Sequence, residues 1–174
     1  MARFWTLSLL MAFLIIADQL SKGTIQSTLY LGQSIPVIQG FFSIAHVHNT
    51  GAAFGFGANG PEWFRQIFFL GLPVVFCGWI FITLCKSLKG AFYVSLAYAL
   101  IIAGAIGNLI DRFSLGYVVD FLLFYWKDEV NHFPAFNIAD SCITIAAALL
   151  IIDFFQQWNT KRKEGHASHS LPRS

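Results

Sequence analysis

Residues 91–110 read AFYVSLAYALIIAGAIGNLI, and Asp111-Arg112 follow at once. This stretch decides the fold class. It holds no charged side chain over the roughly 20 residues that a helix needs to cross a bilayer. It then ends on a carboxylate and a guanidinium, which hydrocarbon does not admit without partners. Three other stretches read the same way, from about Phe4 to Thr24, about Phe64 to Cys85 and about Asn137 to Trp158. Pro73 lies inside the second of these and is expected to kink it. Composition agrees. The 174 residues are 56% hydrophobic and 11% charged, with a mean hydropathy of +0.63. That is too little charge to cover a water-facing surface, where about 25% is usual. The expected architecture is an all-α integral membrane protein, with four transmembrane helices and one domain over residues 1–174. A net charge of +2 gives no footprint for nucleic acid.

The charges orient the chain. Arg3 precedes the first span, Lys86 and Lys89 fill the turn between the second and third, and Lys161, Arg162 and Lys163 follow the fourth. Basic residues collect on the cytoplasmic side. Four spans put all three groups on one side, so both termini are expected in the cytoplasm. Arg3 and the apolar run from Trp5 to Ala17 mimic a secretory signal. However, the run continues into Asp18-Gln19-Leu20-Ser21-Lys22 without a small-residue cleavage site, so a retained helix is expected. The polar end, about residues 160–174, reads as a disordered cytoplasmic tail.

The outside segments are then about residues 25–63 and 111–136. The first alternates in Ser34-Ile35-Pro36-Val37-Ile38 and in Phe42-Ser43-Ile44-Ala45-His46-Val47-His48, with glycines between. The second contains Tyr117-Val118-Val119-Asp120-Phe121-Leu122 and then a polar loop at Lys127-Asp128-Glu129. Alternation broken by turn residues predicts short strands. A small extracytoplasmic sheet resting on the outer membrane surface is expected.

Ionisable groups in apolar helices need a reason. Asp18, Asp111, Asp120 and Asp140 all fall at the outer ends of helices or just outside them, and Asp153 alone lies toward the other face. Asp18 and Lys22 stand four apart and share a helix face, which suits a structural ion pair. Asn108, Asp111 and Arg112 form one polar face near the end of the third span, where Arg112 could hold carboxylates or substrate carbonyls. Asp120 and Asp140 have no cation at helical spacing. Asn137 and Thr144 flank Asp140 at three residues before and four after, which predicts an inward polar stripe. Two carboxyls brought together would keep one proton between them and supply an acid and a base at neutral pH. Spacing by itself favours helix capping or ion pairing for them over such a pair.

Asn49-Thr50-Gly51-Ala52-Ala53-Phe54 reads either as a backbone approach to a ligand or as a glycine turn in the outer sheet. His46 and His48 would share a strand face, but no third ligand has metal-site spacing. Cys77, Cys85 and Cys142 read as small buried hydrophobes. Ser21, Ser114 and Ser141 lack the surroundings of a nucleophile motif.

These boxes together resemble those of the lipoprotein signal peptidase (signal peptidase II) family. The resemblance rests on Asp18-Gln19-Leu20-Ser21-Lys22, Asn49-Thr50-Gly51-Ala52-Ala53-Phe54, Gly107-Asn108-Leu109-Ile110-Asp111-Arg112, Val118-Val119-Asp120-Phe121 and Phe136-Asn137-Ile138-Ala139-Asp140, in that order. It spans about residues 15–155. It implies an aspartic endopeptidase of the bacterial cytoplasmic membrane, working near the extracytoplasmic face. Such an enzyme cuts prolipoproteins just before a diacylglyceryl-modified cysteine. The resemblance assigns Asp120 and Asp140 to the catalytic pair. It assigns Asp18, Lys22, Asn49, Gly51, Asn108, Asp111, Arg112, Asn137 and Ala139 to supporting or substrate-binding positions. It also implies inhibition by the cyclic peptide globomycin. The expected partners are prolipoprotein substrates and membrane lipids, with the protein a monomer and no metal or organic cofactor required.

The main rival is a small transporter or channel subunit with intramembrane carboxylates, which would spread its polar residues through the bilayer depth. A structural assembly protein would tolerate Asp120→Asn and Asp140→Asn. A lipid headgroup transferase would need a metal at its carboxylates.

Overall fold

The computed structural model describes residues 1–51 and 60–169. Four helical spans carry a sheet at one end. The first is helix α1 (Ala2–Thr28), followed by strands β1 (Ser34–Ile38) and β2 (Phe42–Asn49). The second span joins α2 (Glu62–Gln66) to α3 (Leu72–Ser87) through a π-helical turn at Ile67–Gly71. Then come α4 (Phe92–Ser114), strands β3 (Val118–Trp126) and β4 (Asp128–His132), and α5 (Ile138–His169). The spans are apolar throughout, with mean hydropathies of 1.6, 2.4, 1.8 and 2.0 over their best windows.

The π turn has a local cause. Pro73 cannot donate a backbone hydrogen bond, and its ring crowds the carbonyl four residues earlier. Widening the preceding turn relieves that crowding without ending the span.

Helix α4 is the centre of the bundle. Half of its apolar window is buried, against 11–17% for the other three spans. Leu7 of α1, Ile80 and Leu84 of α3, and Ala99 and Ile102 of α4 form one core cluster. Ala97 and Leu100 of α4 meet Cys142 and Ala146 of α5 in a second. Small residues bring α4 and α5 together, as lipid-embedded helices require. A Cβ on Gly104 would strike the Ala139 carbonyl oxygen, and one on Gly107 would lie 2.7 Å from Asp18 Oδ2 and 3.1 Å from Ala139 Cβ.

The sheet runs β1-β2-β3-β4, with all pairs antiparallel. Its first three strands fall where alternation predicts them. Lys127 departs from the expected polar loop. It takes φ 68° at the tip of a tight hairpin, and the chain returns as β4. A bulge lies between Ile44 and Val47 on β2, and beyond it Val47 pairs with Asp120 and Asn49 with Val118. Backbone bonds between Phe136 and Leu122 tie the entry of α5 to β3.

The spans keep their expected places, running two to four residues past the expected limits at five ends, while α4 and α5 begin one residue later. One expectation at a helix end needs correction. The expected disordered tail is helical as far as His169. Lys161-Arg162-Lys163-Glu164 are good helix formers and extend a helix that packing has already nucleated. Ser170–Ser174 lie outside the described residues, as do Ala52, Ala53 and Phe54 of the glycine-containing box.

Candidate active site

The polar residues of five elements meet at the sheet end of the bundle. Lys22 of α1 is the deepest cation, 2% exposed. Its ammonium lies 2.8 Å from Asp18 Oδ2 and 3.0 Å from Asp111 Oδ2, and it donates to Asn108 Oδ1 at 3.0 Å. The predicted Asp18–Lys22 pair is therefore one edge of a triad, and Asp111 joins it from α4.

Both triad carboxylates also hold backbone. Asp18 Oδ1 accepts the Ala139 N–H at 2.9 Å, and Asp111 Oδ2 accepts the Val119 N–H at 3.0 Å. Each bond fixes the residue just before Asp140 or Asp120. Gln19, which spacing arguments passed over, bridges α1 and α4 by donating to Asp111 Oδ1 at 2.9 Å and the Gly107 carbonyl at 3.1 Å. Its signal was its place between Asp18 and a helix face already marked as polar.

Asp120 is 2% exposed on β3. Its Oδ1 accepts from Asn137 Nδ2 at 2.7 Å, and its Oδ2 accepts from Asn49 Nδ2 at 3.1 Å. The β2 bulge makes the second bond available. Had the register of Ile44 with Leu122 continued unbroken, Asp120 would pair with His46, and His48 rather than Asn49 would be its diagonal neighbour. One extra residue rotates Asn49 onto the face of Asp120. Asn49 Oδ1 in turn accepts the Gly51 N–H at 3.0 Å, so this part of the box is a turn that also feeds the site.

Asp140 stands in the first turn of α5. Its Oδ1 accepts from Asn108 Nδ2 at 2.7 Å. Its Oδ2 accepts the Asn137 N–H at 3.2 Å, while Asn137 Oδ1 accepts the Asp140 N–H at 2.9 Å. That reciprocal pair is a capping box. Capping and a place in the polar cluster are thus compatible, because the two oxygens of Asp140 do different things. Asn137, wholly buried, touches both Asp120 and Asp140 and also donates to Asn108 Oδ1 at 3.2 Å. The inward stripe stops there. Thr144 is exposed, and its hydroxyl bonds back to the Asp140 carbonyl at 2.9 Å.

Burial, reinforced by the negative charge of Asp140, pushes the Asp120 carboxyl up to about 7, against the opposing pull of the Asn49 and Asn137 amides and of Lys22. A carboxyl in that range gains and loses a proton near neutrality.

Arg112, expected to hold carboxylates or substrate carbonyls, bonds a carbonyl of its own chain. It donates to the Gly51 carbonyl at 2.9 Å and lies over the Phe69 ring, 5.6 Å from its centroid. A cleft lined by Thr50, Glu62, Gln66, Phe69 and Arg112 opens beside it. His46 donates through Nδ1 to the Leu29 carbonyl at 2.9 Å, and its Nε2 lies 3.1 Å from His48 Nε2. The His48 ring stacks on Tyr117 with centroids 3.6 Å apart. Ser21, Ser114 and Ser141 each bond a carbonyl of their own helix. Asp153, far from the cluster in the chain, accepts from Tyr93 and Gln157 near the other end of the bundle.

Four apolar spans with a buried network of carboxylates and amides at one end define a multi-pass membrane protein with an enzyme-like site. The comparisons with known proteins narrow that class. The family Signal peptidase (SPase) II matches residues 10–156. A lipoprotein signal peptidase of Pseudomonas aeruginosa strain UCBPP-PA14 is 42% identical over 154 residues, covering 88% of each chain. One from Shewanella loihica is 48% identical over 140 residues, covering 80% of each. A bacterial membrane enzyme solved by the in meso method superposes with a TM-score of 0.72 at 31% identity, covering 97% of this chain and 93% of that one. The chain belongs to the signal peptidase II family, and its activity is that of a bacterial membrane protease that removes signal peptides from prolipoproteins.

Proposed function

We propose that the protein is an aspartic endopeptidase that cuts prolipoproteins just before a diacylglyceryl-modified cysteine, with Asp120 and Asp140 as its catalytic pair. The observation that carries this reading is Asn137, which hydrogen-bonds to both carboxyl-bearing residues and so ties them to one buried point. A pair of this kind shares a proton. The ionised member activates water and the protonated member polarises the scissile carbonyl, so the cycle needs no metal.

The cluster sits at the end of the bundle that carries the sheet, and the basic residues Lys86, Lys89, Lys161 and Arg162 sit at the other. With the basic end in the cytoplasm, the site opens toward the outer interface. A substrate anchored there by its acyl chains presents its peptide bond at that depth. Arg112 lines the cleft and donates to the Gly51 carbonyl, and with Asn49, the donor to Asp120, it supplies backbone-binding groups for the signal peptide. Family membership further supports inhibition by globomycin.

The test is purified protein acting on a lipidated prolipoprotein, followed by gel shift. Cleavage by the wild type in the presence of a chelator, with none by Asp120→Asn or Asp140→Asn, is expected. The same precursor without its diacylglyceryl group should remain uncut. Full activity in either variant would falsify the assigned pair, and abolition by the chelator would favour a metal-dependent reaction.

A further inference from the structure

We propose that Lys22 is a positioning residue of the reaction: acting through Asn108, it makes Asp140 the carboxylate that receives the proton of water and leaves the resting proton on Asp120. The inference rests on the aspartic reading above and assigns the two roles within it.

Hydrogen-bond polarity fixes the orientation of both amides. An ammonium has donors only, so the Asn108 atom 3.0 Å from Lys22 Nζ must be its oxygen. The Asn108 amide nitrogen is thereby turned toward Asp140 Oδ1, at 2.7 Å. Asn137 is oriented independently. The Asp140 backbone N–H can only donate, so it requires Asn137 Oδ1, and this turns the Asn137 nitrogen to Asp120 Oδ1 and Asn108 Oδ1. Asp140 is then left with a side-chain donor on Oδ1 and a backbone donor on Oδ2. Its amide donor is the one polarised directly by the buried cation.

Asp120 receives two amide donors, and the Asn137 nitrogen that serves it is shared with Asn108 and with the Val119 carbonyl. The charged groups around the pair are Asp18 and Lys22 of α1 and Asp111 and Arg112 of α4. Lys22 is matched by two carboxylates, so its reach toward the pair runs chiefly through the Asn108 bond.

The proton balance closes. As the water oxygen bonds to the scissile carbon, one water proton passes to Asp140 and the Asp120 proton moves to the carbonyl oxygen. On collapse the carbon–nitrogen bond breaks, the leaving nitrogen takes the proton held by Asp140, and one hydroxyl of the diol returns its proton to Asp120. Both residues regain their starting states.

The experiment measures kcat and KM against pH for full-length protein in lipid discs with a lipidated prolipoprotein peptide. Asn108→Asp keeps an oxygen for Lys22 and for Asn137, but replaces the donor to Asp140 with a carboxylate oxygen and so adds a negative charge beside it. It is expected to lower kcat on the order of a hundredfold. KM should stay within a small factor, and the acidic limb of the profile should move up by about one pH unit. The neutral triple variant Asp18→Asn/Lys22→Met/Asp111→Asn keeps acceptors for the Ala139 and Val119 amides and leaves Asn108 free to turn. The same shift, smaller in size, is expected. A folded variant of either kind with the wild-type pH profile overturns the role of Lys22, as does a loss carried by KM alone. If the triple variant does not accumulate, Asn108→Asp decides by itself. Inactive Asp120→Asn and Asp140→Asn alongside an unmoved Asn108→Asp profile would remove only this inference, whereas activity in either dyad variant would remove the aspartic reading.

Discussion

Two pairs of aspartates lie in the same layer of this molecule and live under opposite electrostatics. Asp18 and Asp111 face the Lys22 ammonium at 2.8 and 3.0 Å, and each spends a further oxygen contact on a backbone N–H. Asp120 and Asp140 are held by neutral amides from Asn49, Asn108 and Asn137, with no ammonium in contact. A direct ion pair keeps buried carboxylates charged and rigid, which suits structure. Amide donors hold a carboxyl in place but leave its charge uncompensated, so it titrates where chemistry can use it. The first pair braces the backbone that carries the second.

That contrast can be broken in order of expected size. Asn at position 120 or 140 should cost roughly a thousandfold or more in turnover without lowering the thermal transition, because an acid–base group is lost without an ion pair. A melting point that falls along with activity would make the second pair structural after all. Lys22→Met should do the converse. It strands two buried carboxylates and should cost about 3–5 kcal/mol of stability, seen as loss of folded protein in a thermal or denaturant titration.

Gly104→Ala probes the packing that brings the pairs together. Its methyl group meets the Ala139 carbonyl oxygen and the Ile143 side chain, so about 1–3 kcal/mol of destabilisation is expected. Activity should fall as well, since Ala139 precedes Asp140. Gly23→Ala, with nothing within 4 Å of the added carbon, is the matched control and should behave as wild type.

The last effect is on pH. The fold holds the Asp120 carboxyl at about 7 rather than 3.8 and so favours its protonated form. Its contribution to stability is complete below the ordinary value and is lost as pH rises through the folded one. Asparagine does not titrate. The melting-point advantage of Asp120→Asn over wild type should therefore widen between about pH 4 and 7 and then level off. A gap that stays constant with pH would place the buried proton elsewhere.

Much of this was legible in the chain. The spans are visible because hydrocarbon imposes length and apolarity on any helix that crosses it. Three strands were visible because a half-buried sheet imposes alternation. The Asp18–Lys22 pair follows from helical spacing alone. Asp111 as the third member of that pair, and the dual contact of Asn137, were not legible, because they join α1, α4, β3 and α5 across long stretches of chain. The helical course of residues 160–169 was missed because composition reads polarity and not the helix already running into it.

By itself, the sequence determined that the chain spans a membrane four times, with Asp18, Asp111, Asp120 and Asp140 gathered at one end, because the cost of burying charge in lipid leaves a mark on every window of residues. Only the tertiary structure decided which carboxylates are neutralised and which are left to titrate. A bulge on β2 turns Asn49 rather than His48 toward Asp120, and Gly104 and Gly107 let Ala139 settle against α4. Both depend on a one-residue register and on close contacts between helices, and neither leaves a period in the chain to be read.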